Sequence, residues 1–218
     1  VPTKKYPLGD PKRGSKATST GQTPSATRPQ QAQKPPPKNI RYKAFHHRVP
    51  REARRPGRHP LLLGDSHARR IKAHECPDPL IHVTSFGGIT ARALTSMLRE
   101  KQLGLPAAPV VVTMLGTNDL LRGTTMEQLR ETLQDLTAIL HEITGCVTVY
   151  HVPPPSFPYN HALFPIVGDL MQEEIYTPVH FGNFDPTYLD RDGVHLTEAA
   201  YATWLRMLQP LFQIPLNE

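Results

Sequence analysis

Val110-Val111-Val112-Thr113-Met114-Leu115 is an unbroken apolar run, β-branched at its first four positions, that ends abruptly in Gly116-Thr117-Asn118-Asp119. A strand without polar alternation offers no face to water, so it suits a sheet covered on both sides. Leu61-Leu62-Leu63 repeats the design on a smaller scale and ends in Gly64-Asp65-Ser66. Around these two anchors the pattern alternates. Strands are expected at 61–63, 80–84, 110–115 and 147–152, with a short fifth at 179–181. Helices are expected at 68–74, 91–102, 125–143 and 166–176, and a final one at 197–212 with Thr197 as its N-cap. Within the third expected helix-forming stretch, Leu129, Leu133, Leu136, Ile139 and Leu140 recur at helical spacing. Strands and helices in alternation predict a parallel sheet with helices on both faces. In such sheets the working groups collect at the carboxyl ends of the strands, which puts Ser66, Gly88 and Asn118 on one rim.

Charge divides the chain. Residues 1–60 carry 15 of the 25 Lys and Arg against two acids, Asp10 and Glu52, and 11 of the 24 prolines. So basic and apolar-poor a segment buries too little surface to offset its ordering entropy, and residues 1–59 are expected to be a disordered, Pro-rich tail. Pro35-Pro36-Pro37 is a local polyproline element. Arginines, histidines, Tyr42 and Phe45 crowd residues 41–60, which equips the tail to attract RNA or another polyanion by counterion release and some stacking. A solubilising linker or a nuclear-localisation patch accounts for the same composition. Residues 60–218 are acidic on balance and long enough for one compact domain.

No stretch of about 18 apolar residues exists, so no membrane span is expected. The chain opens Val1-Pro2-Thr3-Lys4-Lys5, without an initiator Met or an apolar signal region, as a fragment or processed product would. Its two cysteines, Cys76 and Cys146, lack metal-ligand spacing and fit a reducing, intracellular compartment, cytoplasmic or nuclear. No metal site and no cofactor are expected, since the histidines show no ligand spacing and no Gly-x-Gly-x-x-Gly follows a strand. The absence of a Gly-x-Ser-x-Gly elbow argues against the α/β-hydrolase fold.

Chemistry gathers in four places. Ser66 offers a hydroxyl, which needs a neighbouring imidazole to become a nucleophile at neutral pH. Asp192-Gly193-Val194-His195 places a carboxylate three residues before an imidazole, close enough to fix its tautomer. Asn118 supplies an amide donor for a developing oxyanion. In Phe86-Gly87-Gly88-Ile89-Thr90, a glycine lets a backbone N–H approach a substrate closely. Taken singly, each has a plainer reading: Ser66 as a helix cap, Asn118 and Asp119 as turn residues, Asp192-Gly193 as a turn dipeptide.

In order along the chain, these blocks resemble the SGNH (GDSL-type) hydrolase superfamily over residues 60–212. The resemblance implies a flavodoxin-like three-layer α/β/α sandwich on a five-stranded parallel sheet. It implies Ser66 as nucleophile, His195 as base and Asp192 as the base's partner. The oxyanion donors would be the backbone N–H groups of Ser66 and Gly88, with Gly87 as the rival glycine, and the Asn118 side chain. The implied activity is a serine esterase acting on small, acetyl-like acyl esters, by hydrolysis or by transfer to another alcohol. Pro153 to Phe164, with Phe157 and Tyr159, is the expected substrate-shaping wall. Asp65 and Asp119 read as hydrogen-bonding scaffold, His67 as pocket lining or packing, and Tyr201 and Trp204 as core. A basic tail ahead of such a domain also resembles the esterase-bearing first-open-reading-frame proteins of LINE-type retrotransposons. That likeness carries the other reading, an RNA-binding module with catalysis lost or incidental.

Overall fold

The computed structural model describes residues 42–49, 59–71, 80–156, 164–179 and 185–213. The expected polyproline element, most of the basic tail, Cys76, Phe157, Tyr159, and His180-Phe181 of the expected fifth strand lie outside the described residues.

Among the described residues five strands form one sheet: β1 (Ala44–His47), β2 (Leu61–Gly64), β3 (His82–Phe86), β4 (Val110–Met114) and β5 (Thr148–Val152), in the order β1-β3-β2-β4-β5. β3, β2, β4 and β5 are mutually parallel. The helices are α1 (Ser66–Arg70), α2 (Ala91–Arg99), α3 (Thr117–Leu121), α4 (Met126–Thr144), α5 (Phe164–Gln172) and α6 (Glu198–Leu208).

Side-chain alternation in the strands feeds two separate cores. Leu61, Leu63, Phe86 and Val111 pack with α2, α4 and α5 through Leu94, Leu98, Leu129, Leu133 and Leu170. Leu62, Val83, Val110, Val112 and Met114 pack on the opposite face with Ala68 of α1 and Tyr201, Trp204 and Leu208 of α6. The result is the expected α/β/α sandwich. Leu61, Leu62 and Leu63 are all fully buried although they point to alternate faces. This is why the sequence shows an apolar run instead of an alternation. Truncating any one of them to Ala would cost about 2–5 kcal/mol.

Local signals set the helix ends. Thr125 caps α4 in a reciprocal capping box with Gln128, and Gly145 closes the helix in the left-handed region. Thr197 caps α6 through the Ala200 N–H, as expected. The helix that follows Ser66 begins at Ser66 itself, because Asp65 caps it through the His67 N–H.

The sheet departs from the expected one in two respects. It is not wholly parallel: β1 pairs antiparallel with β3, from Ala44↔Phe86 to His47↔Val83. This strand lies inside the segment that composition assigned to the tail. It is held by the His46 ring at 3.2 Å from Thr84 Oγ1 and by the Val49 N–H on His82 Nδ1 at 3.2 Å. Among the described residues the fifth strand is Ala44–His47. Val179 lies in a non-strand segment and is buried in the α6-side core. The second expected strand also slides two residues along, to 82–86. The His82 N–H bonds the Pro60 carbonyl, and Leu61 pairs with His82, so the neighbouring strand sets the register.

Candidate active site

β2 is the topological switch of the sheet, with β3 on one side and β4 on the other, and its carboxyl end is where open α/β sheets gather their functional groups. Register puts Gly64 level with both Ser85 and Met114. Two residues further along each strand come Ser66, Gly87 and Gly116, so the first three sequence blocks leave the sheet side by side. Gly64 is dictated by crowding, because a Cβ there would collide with the Met114 carbonyl. At Gly116 a Cβ would meet the Tyr176 hydroxyl, which donates to the Leu115 carbonyl at 3.0 Å, and φ is +114°.

The fourth block arrives from the loop before α6. His195 Nε2 lies 2.8 Å from Ser66 Oγ, and His195 Nδ1 lies 2.6 Å from Asp192 Oδ2. The other Asp192 oxygen accepts the backbone N–H groups of His195, at 2.8 Å, and Val194, at 3.0 Å. The His195 N–H, then its side chain, hold the Asp192 carboxyl far below the usual carboxylate range. An ionised Asp192 accepts Nδ1–H, which leaves the Nε2 lone pair facing the serine hydroxyl. The His195 side chain is 17% exposed and that of Asp192 45%, so the pair can be reached by solvent.

Ser66 is the first residue of α1, where a helix leaves its N–H groups without intrahelical acceptors. Gly88 has φ +71°, and the Ile89 N–H closes a turn onto the Phe86 carbonyl. A residue in the left-handed region favours glycine, so the turn distinguishes Gly88 from Gly87, whose φ is not positive. Asn118 lies on α3, and its Nδ2 donates to Asp65 Oδ2 at 3.2 Å. An amide nitrogen has two hydrogens, so the second remains to donate elsewhere.

The scaffold expected of the two buried aspartates is present. Asp65 spends one oxygen on the His67 N–H at 2.9 Å and the other on Asn118. Burial, with the nearby Asp119 adding to it against the His67 hydrogen bond, pushes its carboxyl up to about 7. Asp119 turns both oxygens onto the Ala91 N–H, at 3.1 and 2.9 Å, and so ties the residue after Asn118 to the start of α2. Burial raises its carboxyl as well.

His67 is a packing residue. It is buried, its Nδ1 sits 2.7 Å from Tyr201 Oη, and its ring centroid lies 5.0 Å from that of His195. Burial, followed by the charges of His195 and Arg70, pushes it down to about 3, which keeps it neutral beside the His195 ring. Trp204 and Tyr201 are buried in the core, as their spacing suggested. Among the described residues no group of three or more His, Cys, Asp or Glu is arranged to hold a metal, and no helix is long and apolar enough to cross a membrane.

Two arginines at the site were not anticipated. Arg70 bonds Asp190 at 3.0 Å and approaches Asp192 to 4.0 Å. Arg122 donates to the Gly88 carbonyl at 2.8 Å. Each stands four residues after a site residue, Ser66 or Asn118, and helical spacing was the signal that could have found them.

No protein-family profile and no curated protein matches the chain. Solved structures do. A lipase from a goat rumen metagenome aligns with a TM-score of 0.55 at 16% identity, over 71% of this chain and 97% of the lipase. A catalytic mutant of an acetylxylan esterase from Geobacillus stearothermophilus aligns at 0.51 and 15% identity, over 73% and 95%. A member of the lipolytic protein G-D-S-L family from Veillonella parvula aligns at 0.50 and 13% identity, over 71% and 97%.

Proposed function

We propose that this chain, which has the SGNH (GDSL-type) hydrolase fold, is a serine esterase that cleaves small acyl esters through Ser66, His195 and Asp192. The observation that carries the reading is the continuous hydrogen-bonded line from Ser66 Oγ through the His195 ring to Asp192. Segments about 129 residues apart have no structural need to meet in that line, and the arrangement matches what a hydroxyl nucleophile requires.

Ser66 Oγ attacks the ester carbonyl carbon while His195 Nε2 takes its proton. The carbonyl oxygen becomes an oxyanion facing the Ser66 and Gly88 N–H groups and the free hydrogen of Asn118 Nδ2. Collapse expels the alcohol, which receives the proton from His195 Nε2 and leaves an acyl-Ser66 ester. Water then repeats the sequence, losing a proton to His195, and the acid is released as Ser66 regains its hydrogen. Asp192 stays ionised throughout and stabilises the transient imidazolium. The small-acyl part of the proposal draws on the acetylxylan esterase of the same fold.

Two measurements test it. A fluorophosphonate probe should label the chain at Ser66, read by peptide mapping. The intact chain should hydrolyse p-nitrophenyl acetate well above Ser66→Ala. Equal rates for the two chains, with no labelled serine, would refute the reading.

A further inference from the structure

Arg122 is the C-cap of α3, one turn on from Asn118, and its Nη2 holds the carbonyl of Gly88 at 2.8 Å. It therefore stands beside two of the three expected oxyanion donors, Asn118 on its own helix and the Gly88 turn. The side chain is exposed and forms no salt bridge among the described residues. The acid on its own helix, Asp119, turns both oxygens onto the Ala91 N–H and feels Arg122 as a nearby charge without pairing with it. The other arginine at the site, Arg70, is already paired with Asp190. Among the described residues, the Gly88 side of the candidate site thus carries a cation that forms no ion pair. A guanidinium has more N–H donors than the single one used on Gly88, in a planar fork suited to carboxylate or phosphate.

We propose that Arg122 makes the site selective for esters that carry an anionic group, a carboxylate or a phosphate, a few bonds from the scissile carbonyl. The inference rests on the esterase reading and deepens it. A purely structural role, fixing the Gly88 turn, would act on every ester alike. Selection by charge acts on the ratio between anionic and neutral esters, and the two roles separate on that ratio.

The test measures kcat/KM for matched pairs. The mono-p-nitrophenyl ester of succinic acid against p-nitrophenyl butyrate places the charge on the acyl side. On the alcohol side, 4-acetoxybenzoate and 4-acetoxyphenyl phosphate are each compared with methyl 4-acetoxybenzoate. In at least one pair Arg122→Gln should lower the anionic-to-neutral ratio by about tenfold or more. Arg122→Lys should keep part of the preference, and added salt should erode it. The responding pair identifies the side and the anion. An unchanged ratio in every pair overturns the proposal. If no ester turns over faster than with Ser66→Ala, the esterase reading is what fails. Binding of the succinate ester to Ser66→Ala, with and without Arg122→Gln, then decides Arg122 separately: equal affinity overturns its role.

Discussion

Asp65 accepts a hydrogen bond from Asn118 Nδ2 at 3.2 Å, which joins the residue before Ser66 to an amide on α3. One buried carboxylate therefore does two tasks, capping α1 through the His67 N–H and fixing which hydrogen of Asn118 remains for an oxyanion. The tasks can be separated. A serine at 65 still caps the helix but is too short to reach Asn118.

Asp65→Ser is expected to leave stability within about 1 kcal/mol and to lower kcat roughly ten- to a hundredfold, less than the 10²–10³ typical of deleting an oxyanion donor. The two changes should not add: in an Asn118→Ala background, Asp65→Ser should have little further effect on kcat. Denaturation curves and a double-mutant cycle on ester hydrolysis check this. A full additional loss in the double variant would mean that Asp65 acts by another route.

Asp192→Asn keeps the shape of the loop and changes the charge that orients His195. An amide can donate to Nδ1, favouring the tautomer in which Nε2 carries the hydrogen and no longer accepts from Ser66. The expected loss in kcat is about 10³–10⁴, with KM little moved. Arg70→Gln should cost far less. Its pair with Asp190 is exposed on both sides, so solvent screens it and it contributes little to stability. A few-fold loss in kcat with an unaltered melting temperature is expected. A loss as large as that of Asp192→Asn would give Arg70 a more direct part.

What the sequence revealed, and what it did not, follows from how local each signal is. The run 110–115 and the capping residues Thr125 and Thr197 act within a few residues of themselves, so their elements were legible. Gly64-Asp65-Ser66 and Asp192-Gly193-Val194-His195 were legible as blocks, because each carries its chemistry in consecutive residues. Strand β1 was not. Its residues are mostly exposed and basic-to-aromatic, and it is ordered by partners about 40 positions away, Thr84 and Phe86 among them. Val179 carries the opposite lesson: it is buried but lies outside any strand, and one buried apolar residue reads the same in a loop as in a strand. Only its spacing from Asn118 pointed to Arg122, because its hydrogen-bond partner is a carbonyl brought near by the fold.

The two adjacent glycines make a sharp comparison. Gly87 is exposed, its φ is not positive, and a Cβ there would meet nothing within 4 Å. At Gly88 φ is +71°, a conformation that costs a side-chain-bearing residue about 1 kcal/mol or more. Gly87→Ala is therefore expected to be nearly silent in both stability and ester turnover. Gly88→Ala should lower stability by about 1 kcal/mol and reduce kcat further than KM, because relaxing the turn re-aims the Gly88 N–H. The reverse ranking in hydrolysis assays would make Gly87 the donor.

His151 offers a test of pH that stands apart from the candidate site. It is buried in β5 between Thr113 Oγ1, 2.6 Å from Nδ1, and Thr137 Oγ1, 2.7 Å from Nε2. Thr137 donates its own hydrogen to the Leu133 carbonyl, so it accepts from Nε2–H, and Nδ1 accepts from Thr113. Burial pushes His151 down to about 4 from an ordinary 6.5. The native state then binds fewer protons than the unfolded chain between those values. The stabilisation is complete above about pH 6.5 and is lost as pH falls toward about 4. Asp65, pushed up to about 7, has the opposite slope over much of the same range, so the whole-protein curve mixes the two. Comparison with His151→Gln removes the mixture, because Gln does not titrate. The stability gap between the two chains, from urea unfolding, should shift against the native histidine by about 2 kcal/mol between pH 6.5 and 4.5. A gap that stays constant across that interval would mean His151 is not held neutral by the fold.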